Sequence, residues 1–194
     1  VTTKILTDAE ATTANILREL EWLEGVTSRN DLAVVFLAGH GVNNKNGAYY
    51  FLPVNAKTDQ LRRTGLAFSE IKTTVSNLSG KTLLFADTCH AGNILGKRRG
   101  AVDINAVVNE LSSVENGAVV FASSTGRQDS LENPAWGNGA FTKALVEALN
   151  GKAAYQNSKT ITVKMVDAYL SDRVKELTKG KQTPTTTRPP NIED

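Results

Sequence analysis

The sequence predicts a doubly wound α/β fold, a mostly parallel central sheet with helices on both faces. Three observations carry this. LAVVFLA (32–38), KTLLFA (81–86) and GAVVFAS (117–123) are short apolar runs that stop at polar or glycine residues. Each run is continuously apolar rather than alternating, the pattern of a strand buried on both faces. Segments of helical periodicity separate them, so the chain reads as βαβ units, and such units make parallel sheets.

Taken in order, VTTKIL (1–6) predicts a short strand. Thr7 and Glu10 have capping-box spacing, and Ile16, Leu20 and Leu23 follow at helical intervals, so an amphipathic helix runs to about Glu24. The run 32–38 is the first buried strand. YYFLP (49–53) is a shorter strand stopped by Pro53, and Phe68 to Leu78 a helix. The run 81–86 is the second buried strand. Asp103 suits the cap of a helix carrying Ile104, Val107, Val108 and Leu111. The third buried strand is 117–123. Phe141, Leu145 and Leu149 mark another helix, and Val166, Leu170, Val174 and Leu177 a last long one. The end of the chain, with TPTTTRPP, reads as extended or irregular. The organisation expected is one domain over 1–183 and a Pro/Thr-rich segment over 184–194.

A chain of 194 residues suffices for one domain with a substantial core. The net charge of +2 makes no electrostatic case for nucleic acid or a membrane surface. No apolar run approaches the roughly 18 residues of a membrane span, and Val1 does not open a signal-peptide pattern. The single cysteine cannot close an intrachain disulfide, which gives no sign of an oxidising compartment. The expected location is the cytoplasm.

Ligand sites of doubly wound sheets lie beyond the carboxyl ends of the strands. Three such ends stand out: AGHG (38–41), ADTCHAG (86–92) and ASSTG (122–126). His40 follows one buried strand and Cys89 the next, so neighbouring strands would bring imidazole and thiol to one crevice. A cysteine nucleophile needs a base or imidazolium nearby to hold it as thiolate. His40 suits that role better than His90, because adjacent residues of an extended segment point to opposite sides. Gly41 permits close backbone approach, and its N–H with that of Cys89 could form an oxyanion hole. Asp87, two residues before Cys89, shares the thiol's side and would attract a basic group. Taken singly these signals are weak: a free cysteine is most often an inert apolar residue, and a histidine at a strand end is usually just polar rim.

Together they form a pattern. GHG around His40, DTCHAG around Cys89, and SST followed by GNGAFTKAL (137–145) make the chain resemble the caspase-like cysteine peptidases, in the bacterial branch near metacaspases and orthocaspases. The spacing of about 50 residues between His and Cys is also that of caspases. LTDAEATTANIL (6–17) looks like the family's second strand and following helix, and the resemblance covers nearly the whole chain. It implies a three-layer caspase-like sandwich, with His40 as general base, Cys89 as nucleophile, and the amides of Gly41 and Cys89 as oxyanion hole. Asp87 stands where animal caspases have the Gln of their Q-A-C-x-G motif. Those enzymes have a basic pocket that selects aspartate; an acid here implies preference for Arg or Lys before the cut. Ser123 and Ser124 fall where the family lines its substrate groove. Asp129 and Glu132 are candidates for a second carboxylate, against a merely solvated role.

The resemblance thus implies a cysteine endopeptidase acting through a thioester, with no metal or organic cofactor. The loop 43–63 lacks the acidic cluster of calcium-dependent metacaspases, so no calcium requirement is expected. GKRRG (96–100) offers Lys97, Arg98 and Arg99 as autocleavage positions, against the plain alternative of a solvated basic loop. Expected partners are a protein or peptide substrate. The family also begins with a central strand and helix that this chain does not show. An N-terminal piece of roughly 40–60 residues, judged from strand–helix unit lengths, is therefore expected from upstream residues, a fused domain or another chain. The alternative to an active peptidase is a catalytically silent or partner-gated module of the same fold; a separase- or gingipain-like peptidase is a third.

Overall fold

A computed structural model of the chain describes residues 1–90, 118–125, 128, 130–155 and 158–189, without the side chains of Cys89 and His90. The helix expected after Asp103, Asp129, and the basic run with Lys97, Arg98 and Arg99 lie outside the described residues. In chain order the elements are α1 (Thr13–Val26), β1 (Leu32–Asn43), β2 (Tyr49–Phe51), α2 (Leu61–Thr64), β3 (Leu66–Ala67), α3 (Phe68–Asn77), β4 (Lys81–His90), β5 (Val119–Ala122), α4 (Ala140–Glu147), α5 (Val163–Thr178) and β6 (Thr185–Thr187).

The described strands form one sheet in the order β3-β2-β1-β4-β5-β6. Its centre, β1-β4-β5, is parallel, as the valine-rich apolar runs require. β2, β3 and β6 pair antiparallel at the flanks. Alternation along each strand divides the core between two faces. Leu84 and Val120 join Leu20, Val35, Phe51, Leu66, Ile71 and Val75 under α1 and α3. Phe85, Val119 and Phe121 turn the other way and pack under α4 and α5 with Phe141, Leu145, Leu170 and Val174. Phe85 and Phe121 stack there at 4.8 Å between ring centroids. Phe121 is 1% exposed, so truncating it to alanine would cost about 3–5 kcal/mol, removed contacts and cavity together.

Three sequence expectations are corrected. VTTKIL is not a strand: residues 1–6 are in no ladder, and Lys4 instead lies 3.8 Å from Glu19 and over the Trp22 ring. Helix α1 starts later than Thr7, which only precedes a 3₁₀ turn at Asp8–Glu10. Its cap is Thr12, whose side chain accepts the Asn15 N–H, because the backbone is still held outside the helix by the Val54 N–H on the Ala11 carbonyl at 3.0 Å. Strand β1 is buried on one face only: Leu32, Val34 and Phe36 are 57%, 52% and 45% exposed. On that side α4 and α5 pack against β4 and β5, and among the described residues nothing lies over β1. Among the described residues its outer edge also has no strand partner from residue 32 to 39, because β2 pairs only with residues 41–43 and meets His40 through the Leu52 N–H. Of the two readings of the Pro/Thr-rich end, extended or irregular, residues 185–187 take the extended one and form the edge strand β6 against β5. No helix among the described residues is long and apolar enough to cross a membrane.

Candidate active site

The β1–β4 ladder extends past the apolar runs and carries the rim residues with it. His40 and Cys89 do not follow their strands; they lie within them, as direct register partners. Residues directly opposite on neighbouring strands share a face of the pleat, with Cα atoms about 5 Å apart. Asp87 is two positions before Cys89, opposite Ala38, and belongs to the same face. His40 is exposed at the rim.

The glycines around His40 have a packing reason. On the opposite face of the sheet, a Cβ at Gly39 would come within 3.1 Å of the Phe51 ring, and Gly39 has φ +152°, which side chains rarely adopt. A Cβ at Gly41 would overlap the Tyr49 ring and hydroxyl. The room left by these glycines is therefore filled from behind by two aromatic side chains of β2. Tyr49 is buried, packs edge-on to Phe68 with centroids 5.6 Å apart, and donates its hydroxyl to Thr88 Oγ1 at 3.1 Å.

Asp87 is the chemically unusual group. Only 8% of it is exposed, and among the described residues no cation pairs with it. Thr142, in the first turn of α4, donates its hydroxyl to Asp87 Oδ2 at 2.5 Å. Burial pushes the Asp87 carboxyl above its ordinary range, and hydrogen bonds from Thr142, Ser123 and Ser130 only partly counter it. A backbone bridge between Glu132 and Gly139 turns the chain back on itself and sets Gly139 against this carboxylate. A Cβ at Gly139 would lie 3.1 Å from Asp87 Oδ2, so glycine there leaves the carboxylate uncrowded.

The other proposed positions differ. Ser123 and Ser124 are buried and engaged inside the protein: Ser123 Oγ bonds Ser130 Oγ, and Ser124 Oγ donates to the Gln128 carbonyl at 2.9 Å. Glu132 is exposed. Buried Gln182 anchors this region, donating to the Ser123 carbonyl at 2.7 Å and accepting the Leu131 N–H at 2.8 Å. Sequence reasoning missed Thr142, Gly139, Ser130 and Gln182 as site residues. Gly139 and Thr142 lie within GNGAFTKAL (137–145), which carried the family resemblance without a role for either residue, and Ser130 and Gln182 had no local signal. A cavity of about 350 Å³ lined by Lys152, Tyr169, Asp172, Arg173 and Glu176 lies at the far end of α4 from Thr142 and belongs to an ion-pair network, not to this rim.

The family model described as a caspase domain matches residues 3–193. No curated protein matches the chain. Among solved structures, protein GSU0716 from Geobacter sulfurreducens is similar, with a TM-score of 0.66 at 16% identity, over 98% of this chain and 78% of that one. That likeness is one of fold.

Proposed function

The chain belongs to the caspase domain family, and on that premise we propose that it is a cysteine endopeptidase cutting after arginine or lysine. The observation that carries this is the register pairing of His40 with Cys89, beside a buried carboxylate two residues away on the same face. An acid held out of water whose partners among the described residues are hydroxyls and the Thr142 backbone suits a guest that brings a cation, and arginine matches a carboxylate through paired N–H donors.

In this reading the Cys89 thiolate attacks the carbonyl carbon of the basic residue itself. An S–C bond forms, and the carbonyl electrons move to oxygen, where the amides of Gly41 and Cys89 receive them. Each such donor is typically worth about 2.7–4 kcal/mol of barrier. His40 gives its proton to the leaving amine as the C–N bond breaks. It then takes a proton from water, whose oxygen displaces sulfur from the thioester. No step calls for a metal or cofactor. Lys97, Arg98 and Arg99 fit the same specificity as sites of self-cleavage. Cys89→Ala should abolish hydrolysis of an Arg-ending fluorogenic peptide and leave the chain intact on mass spectrometry. Undiminished hydrolysis by that variant would remove the reading.

The open edge of β1 and the exposed Leu32, Val34 and Phe36 favour a second, related reading. A further strand and helix, from upstream residues or another chain, would complete the sheet and gate the same site. Unpaired edges and bare apolar strips are what added strands cover. An activity that appears only with longer polypeptides would distinguish this from an unaided peptidase.

A further inference from the structure

We propose that Tyr49 is a positioning residue for the His40–Cys89 pair, acting from the back of the sheet through Thr88. The inference rests on the peptidase reading of that pair. Its grounds are independent of it: they are side-chain contacts on the opposite face, which no proposed step uses.

Thr88 directly precedes Cys89 and is the register partner of Gly39, which directly precedes His40. Odd and even positions alternate between faces, so Gly39, Gly41 and Thr88 form the back of the patch whose front carries His40 and Cys89. The Tyr49 side chain crosses this back surface. It fills the place of a Gly41 side chain and ends in a buried hydrogen bond on Thr88. One residue of β2 thereby spans β1 and fastens to β4. Phe51, two residues along β2, lies against Gly39 in the same way. The backbone on both sides of His40 is thus clamped between a strand ladder and two aromatic rings.

The need for a clamp follows from the edges. From residue 32 to 39 β1 has a strand partner on one side only among the described residues. β2 supports only its final turn toward the rim. Besides the ladder, the described residues hold His40 through the Leu52 N–H on its carbonyl and Phe51 against Gly39, which both come from β2; the tie to Thr88 is what joins β2 directly to the strand of Cys89. Displacements of about 1 Å at such a pair cost up to a hundredfold in rate. The Tyr49 hydroxyl is the one polar group that the β2 aromatic rings bring to β4. Removing it spares the ring packing on Phe68, and Thr88→Val removes the same tie from its other end.

Tyr49→Phe and Thr88→Val, singly and together, are compared with the unaltered chain. The readouts are kcat and KM on an Arg-ending peptide, and the pH dependence of Cys89 alkylation by a small reagent. Each single change is expected to lower kcat about tenfold with KM unchanged. Each should also move the alkylation profile toward that of an unassisted thiol, and the double variant should lose no more than either single. Unchanged kcat and an unmoved alkylation profile in both singles would overturn the proposal, as would fully additive losses. An unaltered chain that cleaves nothing defeats the peptidase reading instead. The alkylation profiles still decide the role of Tyr49 in that case, since they need no hydrolysis.

Discussion

Helix α4 meets two carboxylates at its two ends, and they are opposites. Glu147, at its C-terminal end, accepts from Arg173 Nε and from the Tyr169 hydroxyl, each at 2.8 Å, with Lys143 at 3.5 Å and Lys152 at 3.6 Å. The Arg173 hydrogen bond leads in holding its carboxyl down to about 2. Asp87 faces the first turn of the same helix with a threonine hydroxyl where Glu147 has a guanidinium. Burial drives its carboxyl up. A carboxylate ringed by cations is already satisfied and latches α4 to α5. Asp87, buried among hydroxyls, has no cationic partner among the described residues, and in the proposed reading the basic side chain of a substrate takes that place.

The largest effect should come from exchanging that unsatisfied charge for a neutral isostere. Asp87→Asn is expected to lower kcat/KM for Arg- and Lys-ending peptides about a hundredfold or more, since an arriving cation would be buried without a partner. Small-reagent alkylation of Cys89 should persist. The same change should stabilise the chain. An acid whose folded pKa lies above its ordinary 3.8 holds more protons folded than unfolded between those values, so stability falls as pH rises through the window, and the cost is full at neutrality. Asp87→Asn should therefore melt above the unaltered chain at pH 7, with the gap closing as pH falls to the ordinary aspartate range. Equal melting temperatures at pH 7 would mean that Asp87 already has a cationic partner. If the chain cleaves as proposed, its KM for basic substrates should rise on acidification, because protonation discards the attracting charge.

How much of this was legible in the residues follows the same line. Continuous apolar runs separated by helical segments made the parallel centre of the sheet legible, and for β4 and β5 the two-faced burial that such runs imply is what the structure has. His40 and Cys89 were legible because strand ends carry sites and their spacing matched a known pattern. Asp87 was legible by parity with Cys89, yet its burial was not, since that depends on α4 arriving more than fifty residues later with Thr142. Gly41 was read for backbone access, whereas its missing side chain is filled by Tyr49, a contact that no local pattern announces. The exposed face of β1 was misread as buried because composition records what a strand is fit to bury, not what lies over it. The ladder of β6 was missed because threonines beside prolines look like a tail until an edge needs them.

Thr142→Val sharpens the comparison at the Asp87 end with a smaller effect. The variant removes the hydroxyl that lowers the carboxyl and leaves burial intact, so the Asp87 pKa should climb further. Hydrogen bonds to charged groups are typically worth about 1.5–3 kcal/mol. About a tenfold loss of kcat/KM on Arg-ending peptides is expected, with the acid limb of the pH profile moved to higher pH. A profile that does not move would assign Thr142 to α4 packing alone.

At the Glu147 end the same logic predicts a change in stability and none in specificity. Glu147→Gln keeps the shape and removes the charge, leaving Arg173, 25% exposed, with Glu176 at 2.8 Å as its remaining partner. Because water reaches Arg173 and a second carboxylate stays in place, the loss should be only about 1–2 kcal/mol at pH 7. Its pH dependence runs opposite to that of Asp87. A carboxyl depressed from 4.5 to about 2 contributes fully above its ordinary value, and that contribution fades as pH falls toward 2. Melts of the unaltered chain and the variant should thus differ at pH 7 and converge near pH 2, while the ratio of Arg to Lys cleavage stays the same in both. A variant that changed that ratio would tie the α4–α5 latch to the rim and undo the division of labour between the two carboxylates.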